Sequence, residues 1–184
     1  MQRVFFCGAV AAPALCLLLR WGMGEWAGEL VDDSGLLAAL LLFLTLGVTP
    51  LSMLFPKSAV VLWLRRHRRW LGVSSFLYSC LHVAFYCVDM ETLRNVRLEL
   101  PSFGIQTGWL AFALLAPLAL TSHDAAVRKL GVWWRVLHRL VYAAALAMVF
   151  HWVFIHDDAL VAMVLTAPLF GLEVYRVLAK ISRV

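Results

Sequence analysis

The sequence predicts an all-α integral membrane protein, a bundle of six transmembrane helices with both termini in the cytoplasm. Three observations predict this class: the composition, a regular recurrence of apolar runs, and an uneven distribution of charge. Of 184 residues, 63% are hydrophobic and 15% are charged, with a mean hydropathy of +0.85. Soluble domains are about 45–50% apolar and about 25% charged. The composition therefore excludes a soluble enzyme and a disordered chain, and a single domain over residues 1–184 is expected.

Each predicted helix is an apolar run long enough to cross the hydrocarbon core, which needs about 20 residues at about 1.5 Å per residue. Pro50 and Pro56 end the second run, Pro101 precedes the fourth, and Asp157 with Asp158 forms a short turn before the sixth. The first run is interpreted as a retained helix rather than a cleaved signal peptide, because no polar segment follows its small residues. The predicted spans are residues 4–20, 35–55, 70–88, 103–121, 134–155 and 159–178.

The charges of the connecting segments predict the orientation. One set holds thirteen basic and two acidic residues, and the other holds three basic and nine acidic residues. The basic set is the N-terminus with residues 56–69, 122–139 and 173–184, and the acidic set is residues 20–34, 89–100 and 156–158. Basic residues accumulate on the cytoplasmic side of membrane proteins. The basic set is therefore expected in the cytoplasm and the acidic set outside it.

Two histidines are predicted to lie at the same depth in the membrane. His82 lies past the middle of the third span, and His151 lies at a comparable level of the fifth, which runs in the same direction. Ionisable side chains in the hydrocarbon region are costly and usually face a cavity, a cofactor or one another. The pair predicts axial ligation of a haem between two helices, and the alternative is a pair that only hydrogen-bonds across helix interfaces.

A ligating ring also needs a hydrogen-bond partner for its second nitrogen. Ser79, Thr45, Thr49 and a backbone carbonyl are all candidates for this role, and the sequence does not select among them.

A second site near the inner face is less well defined by the sequence. His138 lies about one turn into the fifth span, and the candidates to face it are Arg68 and His67, about four turns before His82. On an ideal helix His138 and His151 lie about 140° apart, so their spacing alone does not predict two haems. The remaining histidines, His123 and His156, are expected to be solvated.

Several short motifs are more informative together than alone. They are Thr49-Pro50-Leu51, residues 64–72 (LRRHRRWLG), Leu81-His82-Val83 with Tyr86, Arg128-Lys129-Leu130-Gly131, residues 137–142 (LHRLVY) and His151-Trp152. Over about residues 36–178, the chain resembles the ferric-reductase-like transmembrane family. Within that family it is most similar to the haem-binding membrane subunits of bacterial periplasmic methionine sulfoxide reductase systems.

The resemblance implies a six-helix, multi-pass protein of the bacterial inner membrane that carries electrons on b-type haem. His82 and His151 match the ligands of one haem near the periplasm, and His138 matches a ligand of a second haem near the cytoplasm. Arg68, with His67 beside it, stands where broader family members have the second histidine of that inner haem. One haem is therefore the expectation and two haems are the alternative.

The resemblance also implies partners. A cytoplasmic flavin reductase or membrane quinol would supply electrons, and FMN or a quinone would be a further cofactor. A periplasmic molybdopterin enzyme that reduces methionine sulfoxide would receive them. The sequence contains no G-x-G-x-x-G motif that follows a strand, so an electron-transfer subunit is expected rather than a complete enzyme.

Two other functions stay open from the sequence. The first is a stand-alone membrane metal reductase or a quinol-oxidising cytochrome b, for which His156, Asp157, Asp158 and the acidic segment 25–33 are candidate external metal ligands. The second is a haem-free structural or transport protein, in which the histidines only pack or relay protons.

Overall fold

The computed structural model describes residues 2–156 and 159–181, and within these ranges the chain is helical and contains no β-strand. The described helices are α1 (Gln2–Gly22), α2 (Ala27–Leu54), α3 (Ala59–Asp89), α4 (Leu93–Glu99), α5 (Phe103–Leu120), α6 (Asp124–Leu130), α7 (Val132–Leu137), α8 (Leu140–His156) and α9 (Ala159–Ile181). The predicted all-α class is confirmed. The turn predicted at Asp157 and Asp158 lies outside the described residues.

Four helical segments of the described chain are long and apolar enough to cross a membrane. They are α2, α3, α5 and the segment Val132–His156, which contains α7 and α8. The first helix contributes a shorter apolar stretch, Gly8–Gly22. The chain is a multi-pass membrane protein, while the count of six spans and the cytoplasmic termini stay predictions.

The second helix occupies the centre of the bundle. It packs most extensively along α3 and also contacts α1, α8 and α9, while α5 packs most extensively on α8. Leu42 and Leu46 of α2 are almost completely buried against Leu115 of α5 and Ala144 of α8. The core thus follows α2, with two helix pairs, α2–α3 and α5–α8, packed against each other.

The third helix begins at Ala59 rather than at residue 70, where the predicted span begins. Ser58 caps it, since its hydroxyl oxygen accepts the Val61 N–H at 3.5 Å. The segment 56–69, expected to be a connecting segment, is therefore mostly helical. Arginine side chains have long apolar stems that let the charged group extend to the headgroup layer, so a basic cluster does not end a helix.

The predicted fifth span is not one continuous helix. It divides into α7 and α8, because His138 and Arg139 form a turn between them. Gly131, with φ of +52°, separates α6 from α7 in a backbone conformation that favours glycine. The span predicted over 134–155 lies within the segment Val132–His156, and the turn at residues 138 and 139 interrupts that segment. The separation of about 140° calculated for an ideal helix does not apply to His138 and His151.

The two ends of the bundle differ in charge. The acidic end contains the α1–α2 turn, α4 and the last turn of α8, and the basic end contains the α2–α3 turn, α6 and α7. At the acidic end Arg20 donates to Glu25 and to Asp33, and at the basic end Arg69 donates to Asp124 at 2.5 Å. Hydrogen bonds from these guanidinium groups hold the pKa of the Glu25 and Asp124 carboxyl groups below their usual values.

Candidate functional site

A cavity of about 450 Å³ lies between α2, α3, α5 and α8. Its wall combines small residues with aromatic and polar ones. Its lining residues include Gly35, Ala38, Ser79, His82, Tyr86, Gly108, Ala111 and His151. Asp32 and His156, both exposed, line the cavity as well, which places it toward the acidic end.

Two predicted ligand residues, His82 and His151, meet in this cavity. Their ring centroids are 6.0 Å apart and their planes are inclined by 85°. Nδ1 of His82 lies 2.9 Å from the carbonyl oxygen of Val31, and Nδ1 of His151 lies 2.7 Å from that of Gly104. A carbonyl oxygen can only accept, so Nδ1 carries the proton in each ring. This leaves the lone pair of each Nε2 available to a ligand in the cavity.

Each of these rings packs against a glycine of the neighbouring helix. A Cβ atom at Gly35 would lie 2.9 Å from Nδ1 of His82, and one at Gly108 would lie 2.6 Å from Nδ1 of His151. Real Cβ contacts are essentially never this short. Sequence reasoning missed both glycines. A signal was present, since glycine inside a helix costs about 0.5–1 kcal/mol relative to alanine and therefore indicates a close approach.

Two further predicted residues lie nearer the basic end and do not line the cavity. His138 stacks on Trp134 at 3.9 Å between centroids, and its Nε2 lies 3.1 Å from the hydroxyl oxygen of Thr121. Arg68 is half-buried and donates from Nε to the carbonyl oxygen of Thr45 at 2.9 Å. Each of the two side chains therefore already has a polar partner from the protein.

The fifth predicted residue, His67, faces the first helix. It is 6% exposed and stacks on Phe6 of α1 with centroids 4.7 Å apart. Its Nδ1 lies 2.9 Å from the carbonyl oxygen of Trp63 in its own helix. The structure therefore gives His67 and His138 separate surroundings, and their cofactor role stays a prediction.

A direct metal-ion site is not evident in the described chain. Within residues 2–156 and 159–181, no group of three or more His, Cys, Asp or Glu side chains could hold a metal ion. At the acidic end, His156 Nε2 lies 3.9 Å from Asp32 Oδ1. His123 caps α6, because its Nδ1 accepts the Ala126 N–H at 3.2 Å. The imidazole pair is therefore the better candidate for holding a metal-containing cofactor.

Fold and site together define a class of protein: a multi-pass helical membrane protein in which two histidines from different helices face one interhelical cavity. A family described as ferric reductase like transmembrane component matches residues 34–149. This range covers more than half of the chain, includes His82 and His138, and ends two residues before His151. The chain belongs to the ferric-reductase-like transmembrane family.

Several curated relatives carry the name protein-methionine-sulfoxide reductase heme-binding subunit MsrQ. The one from Xanthomonas euvesicatoria pv. vesicatoria is 34% identical over 189 residues, covering 92% of this chain and 84% of the relative. The one from Azospira oryzae is 38% identical over 143 residues, covering 74% and 54%. The one from Herminiimonas arsenicoxydans is 42% identical over 120 residues, covering 60% and 51%. The chain thus spans about half the length of two of these relatives. No solved structure matches it significantly.

Proposed function

We propose that this chain is the haem-binding, electron-conducting membrane subunit of a methionine sulfoxide reductase system. The observation that carries the proposal is the His82–His151 pair, with ring centroids 6.0 Å apart in one interhelical cavity. The names of the MsrQ relatives support the system to which such a subunit would belong.

The residues present fit a haem that two imidazoles would hold. His82 and His151, with ring centroids 6.0 Å apart, line one cavity of about 450 Å³, and each keeps an Nε2 lone pair for a ligand. Gly35, Ala38 and Ala111 contribute small residues to a wall that also contains Trp109 and Phe112. When bound, haem supplies a reversible one-electron couple.

The chain's own residues then determine what the site does. His82 and His151 would hold the haem from two different helix pairs, and a haem held by two imidazoles would supply electron transfer rather than binding of oxygen or a substrate. The carbonyl groups of Val31 and Gly104 orient the rings and increase their basicity. These features favour electron transfer over bond-making chemistry.

We infer a single haem, of b type, at this pair. His138, Arg68 and His67 do not line the cavity that holds His82 and His151, and His67 packs against Phe6 of α1 rather than facing His138. Among the described residues, a second facing pair of imidazoles is therefore not supported at the basic end.

The proposed direction of transfer follows from the charges. We propose six spans in the bacterial inner membrane with the basic end in the cytoplasm, supported by the thirteen basic residues assigned to that side. The haem then lies toward the periplasm. A cytoplasmic flavin reductase or membrane quinol would supply electrons, through FMN or a quinone. A periplasmic molybdopterin enzyme that reduces methionine sulfoxide would receive them.

The test is a redox difference spectrum with haem quantification on the purified chain and on three single variants. We expect one haem per chain in the wild type, loss of most of it in His82→Ala and His151→Ala, and retention in His138→Ala. His123→Ala, a change in the α6 cap, is the matched control. A colourless wild-type protein would contradict haem binding. Unchanged spectra and stoichiometry in His82→Ala and His151→Ala would contradict the ligand assignment.

A further inference from the structure

The carbonyl group that orients His82 is accessible because of a glycine one turn later in α2. In an α-helix, the carbonyl of Val31 also accepts the main-chain N–H of Gly35. The Cβ of a helical residue tilts toward the N-terminus and covers the preceding turn. A side chain at position 35 would therefore stand between this carbonyl and the approaching ring. A Cβ there would lie 2.9 Å from Nδ1 and 3.1 Å from Cε1 of His82.

The same arrangement recurs on α5. The carbonyl of Gly104 orients His151 at 2.7 Å, and the residue four positions later is Gly108. A Cβ at Gly108 would lie 2.6 Å from Nδ1 and 2.8 Å from Cε1 of His151. Because the same arrangement occurs in both helix pairs, we infer that each ring requires a glycine next to the carbonyl group that orients it.

The residue before each glycine has a hydroxyl group within hydrogen-bond distance of the same carbonyl, and its single proton is shared between two carbonyl groups. Ser34 Oγ lies 3.0 Å from the Val31 oxygen, and Thr107 Oγ1 lies 2.9 Å from the Gly104 oxygen. Both hydroxyl groups also reach the carbonyl one residue earlier, at 2.6 Å and 3.0 Å. The oxygen that orients each ring is thus shared between the ring, its own helix and a hydroxyl donor.

We propose that Gly35 and Gly108 are positioning residues that set the orientation of the two axial imidazoles by exposing the carbonyl groups of Val31 and Gly104. The inference rests on the proposed function, because it assigns these residues a role toward haem. Each glycine lets Nδ1–H reach its carbonyl, which fixes the ring tautomer and directs Nε2 into the cavity. The two exposed carbonyls together hold the ring planes at 85°.

The experiment compares Gly35→Ala and Gly108→Ala with Gly47→Ala in the purified haem-loaded protein. Gly47 lies in the same helix as Gly35, and the nearest atoms to its Cβ position are 3.9 Å away. The EPR anisotropy of a low-spin ferric haem depends on the angle between the planes of its two imidazoles, so it reports a change in ring orientation. We expect the same EPR anisotropy in wild type and Gly47→Ala, and a different anisotropy in Gly35→Ala and Gly108→Ala. Loss of an orienting partner should also weaken haem affinity about 10–100-fold, measured by transfer to a haem-scavenging protein.

EPR anisotropy and haem transfer equal to those of Gly47→Ala in both test variants would overturn the inference. The His82→Ala and His151→Ala variants separate this failure from failure of the proposed function. If those variants lose haem while the glycine variants behave like the control, only the positioning role is wrong. If the histidine variants keep their haem, the ligand assignment itself fails.

If the glycine variants do not fold, Thr107→Val tests whether the Gly104 carbonyl acts on His151. It removes the hydroxyl donor to the Gly104 carbonyl and adds no volume near His151. The carbonyl becomes a stronger acceptor for Nδ1–H of His151, which increases electron donation from the ring. We expect normal haem content and a lower midpoint potential, and an unchanged potential would overturn the role of this carbonyl.

Discussion

Ser75 and Ser79 lie one turn apart on α3, but their hydroxyl groups have different partners. Ser75 is fully buried and donates to the carbonyl of Ala38 in α2 at 2.8 Å, whereas Ser79 donates to its own helix at 3.0 Å. Ser75→Ala is expected to lower the free energy of unfolding by about 0.6 kcal/mol, the average for interhelical hydrogen bonds in a membrane protein, and by at most about 1.7 kcal/mol. Denaturant unfolding in detergent measures this change, with Ser79→Ala as the control. Equal losses in both variants would contradict a specific role for Ser75.

The identities of the two cavity histidines could be predicted from the sequence, but not the groups that orient them. His82 and His151 attract attention because an ionisable side chain in an apolar run requires an explanation. Ser79, Thr45, Thr49 and a backbone carbonyl were equivalent candidates for the second nitrogen. The structure shows backbone carbonyls, and Ser79 and Thr45 bond to their own helix. Every helical residue has a carbonyl group, so the choice depends on how two helices are rotated against each other.

At the scale of elements, α4 is held to the bundle by few contacts. None of its residues is buried, and Leu93 and Leu98 are 80% and 69% exposed. Glu99, its last residue, accepts a hydrogen bond from the Tyr86 hydroxyl of α3 at 2.9 Å. Tyr86→Phe should therefore increase hydrogen exchange over residues 92–100 several-fold, because local opening depends on the few contacts that hold a segment.

The control for this prediction is Tyr78→Phe. Tyr78 donates to the carbonyl of Val10 in α1 at 2.6 Å and makes a link of similar type at a different place. Hydrogen–deuterium exchange with mass spectrometry should show faster exchange near Val10 in this variant and normal exchange in α4. If Tyr86→Phe leaves hydrogen exchange in α4 unchanged, this hydrogen bond does not hold the helix.

The hydropathy of the sequence did not predict where each helix begins and ends. The apolar run of the third span begins near residue 70, but α3 begins at Ala59 because the chain stays helical through its arginines. The opposite error occurs in the fifth span, where apolar residues continue through the turn at His138 and Arg139. Hydropathy reports where a chain meets lipid, whereas hydrogen bonding determines where a helix ends.

At the scale of the whole molecule, the α2–α3 and α5–α8 pairs explain why the cavity histidines meet. Each pair contributes one histidine and the carbonyl group, of Val31 or Gly104, that lies against its ring. A cluster that includes Leu42, Leu46 and Leu115 packs the two pairs together. The sequence predicted the common depth of the histidines from the direction of the spans. It could not predict the pairing of helices, because lipid-facing and buried surfaces of these helices are equally apolar.

The direction of electron flow depends on which end of this bundle faces the cytoplasm, and cysteine labelling can determine it. Met23 lies exposed in the turn at the acidic end, and Lys57 lies exposed in the turn at the basic end. In a background with Cys7, Cys16, Cys80 and Cys87 replaced by serine, a membrane-impermeant maleimide is added to spheroplasts. Met23→Cys should react at once, and Lys57→Cys only after permeabilisation, because basic segments stay in the cytoplasm. The reverse pattern would place the histidine cavity near the cytoplasm, where it could not deliver electrons to a periplasmic acceptor.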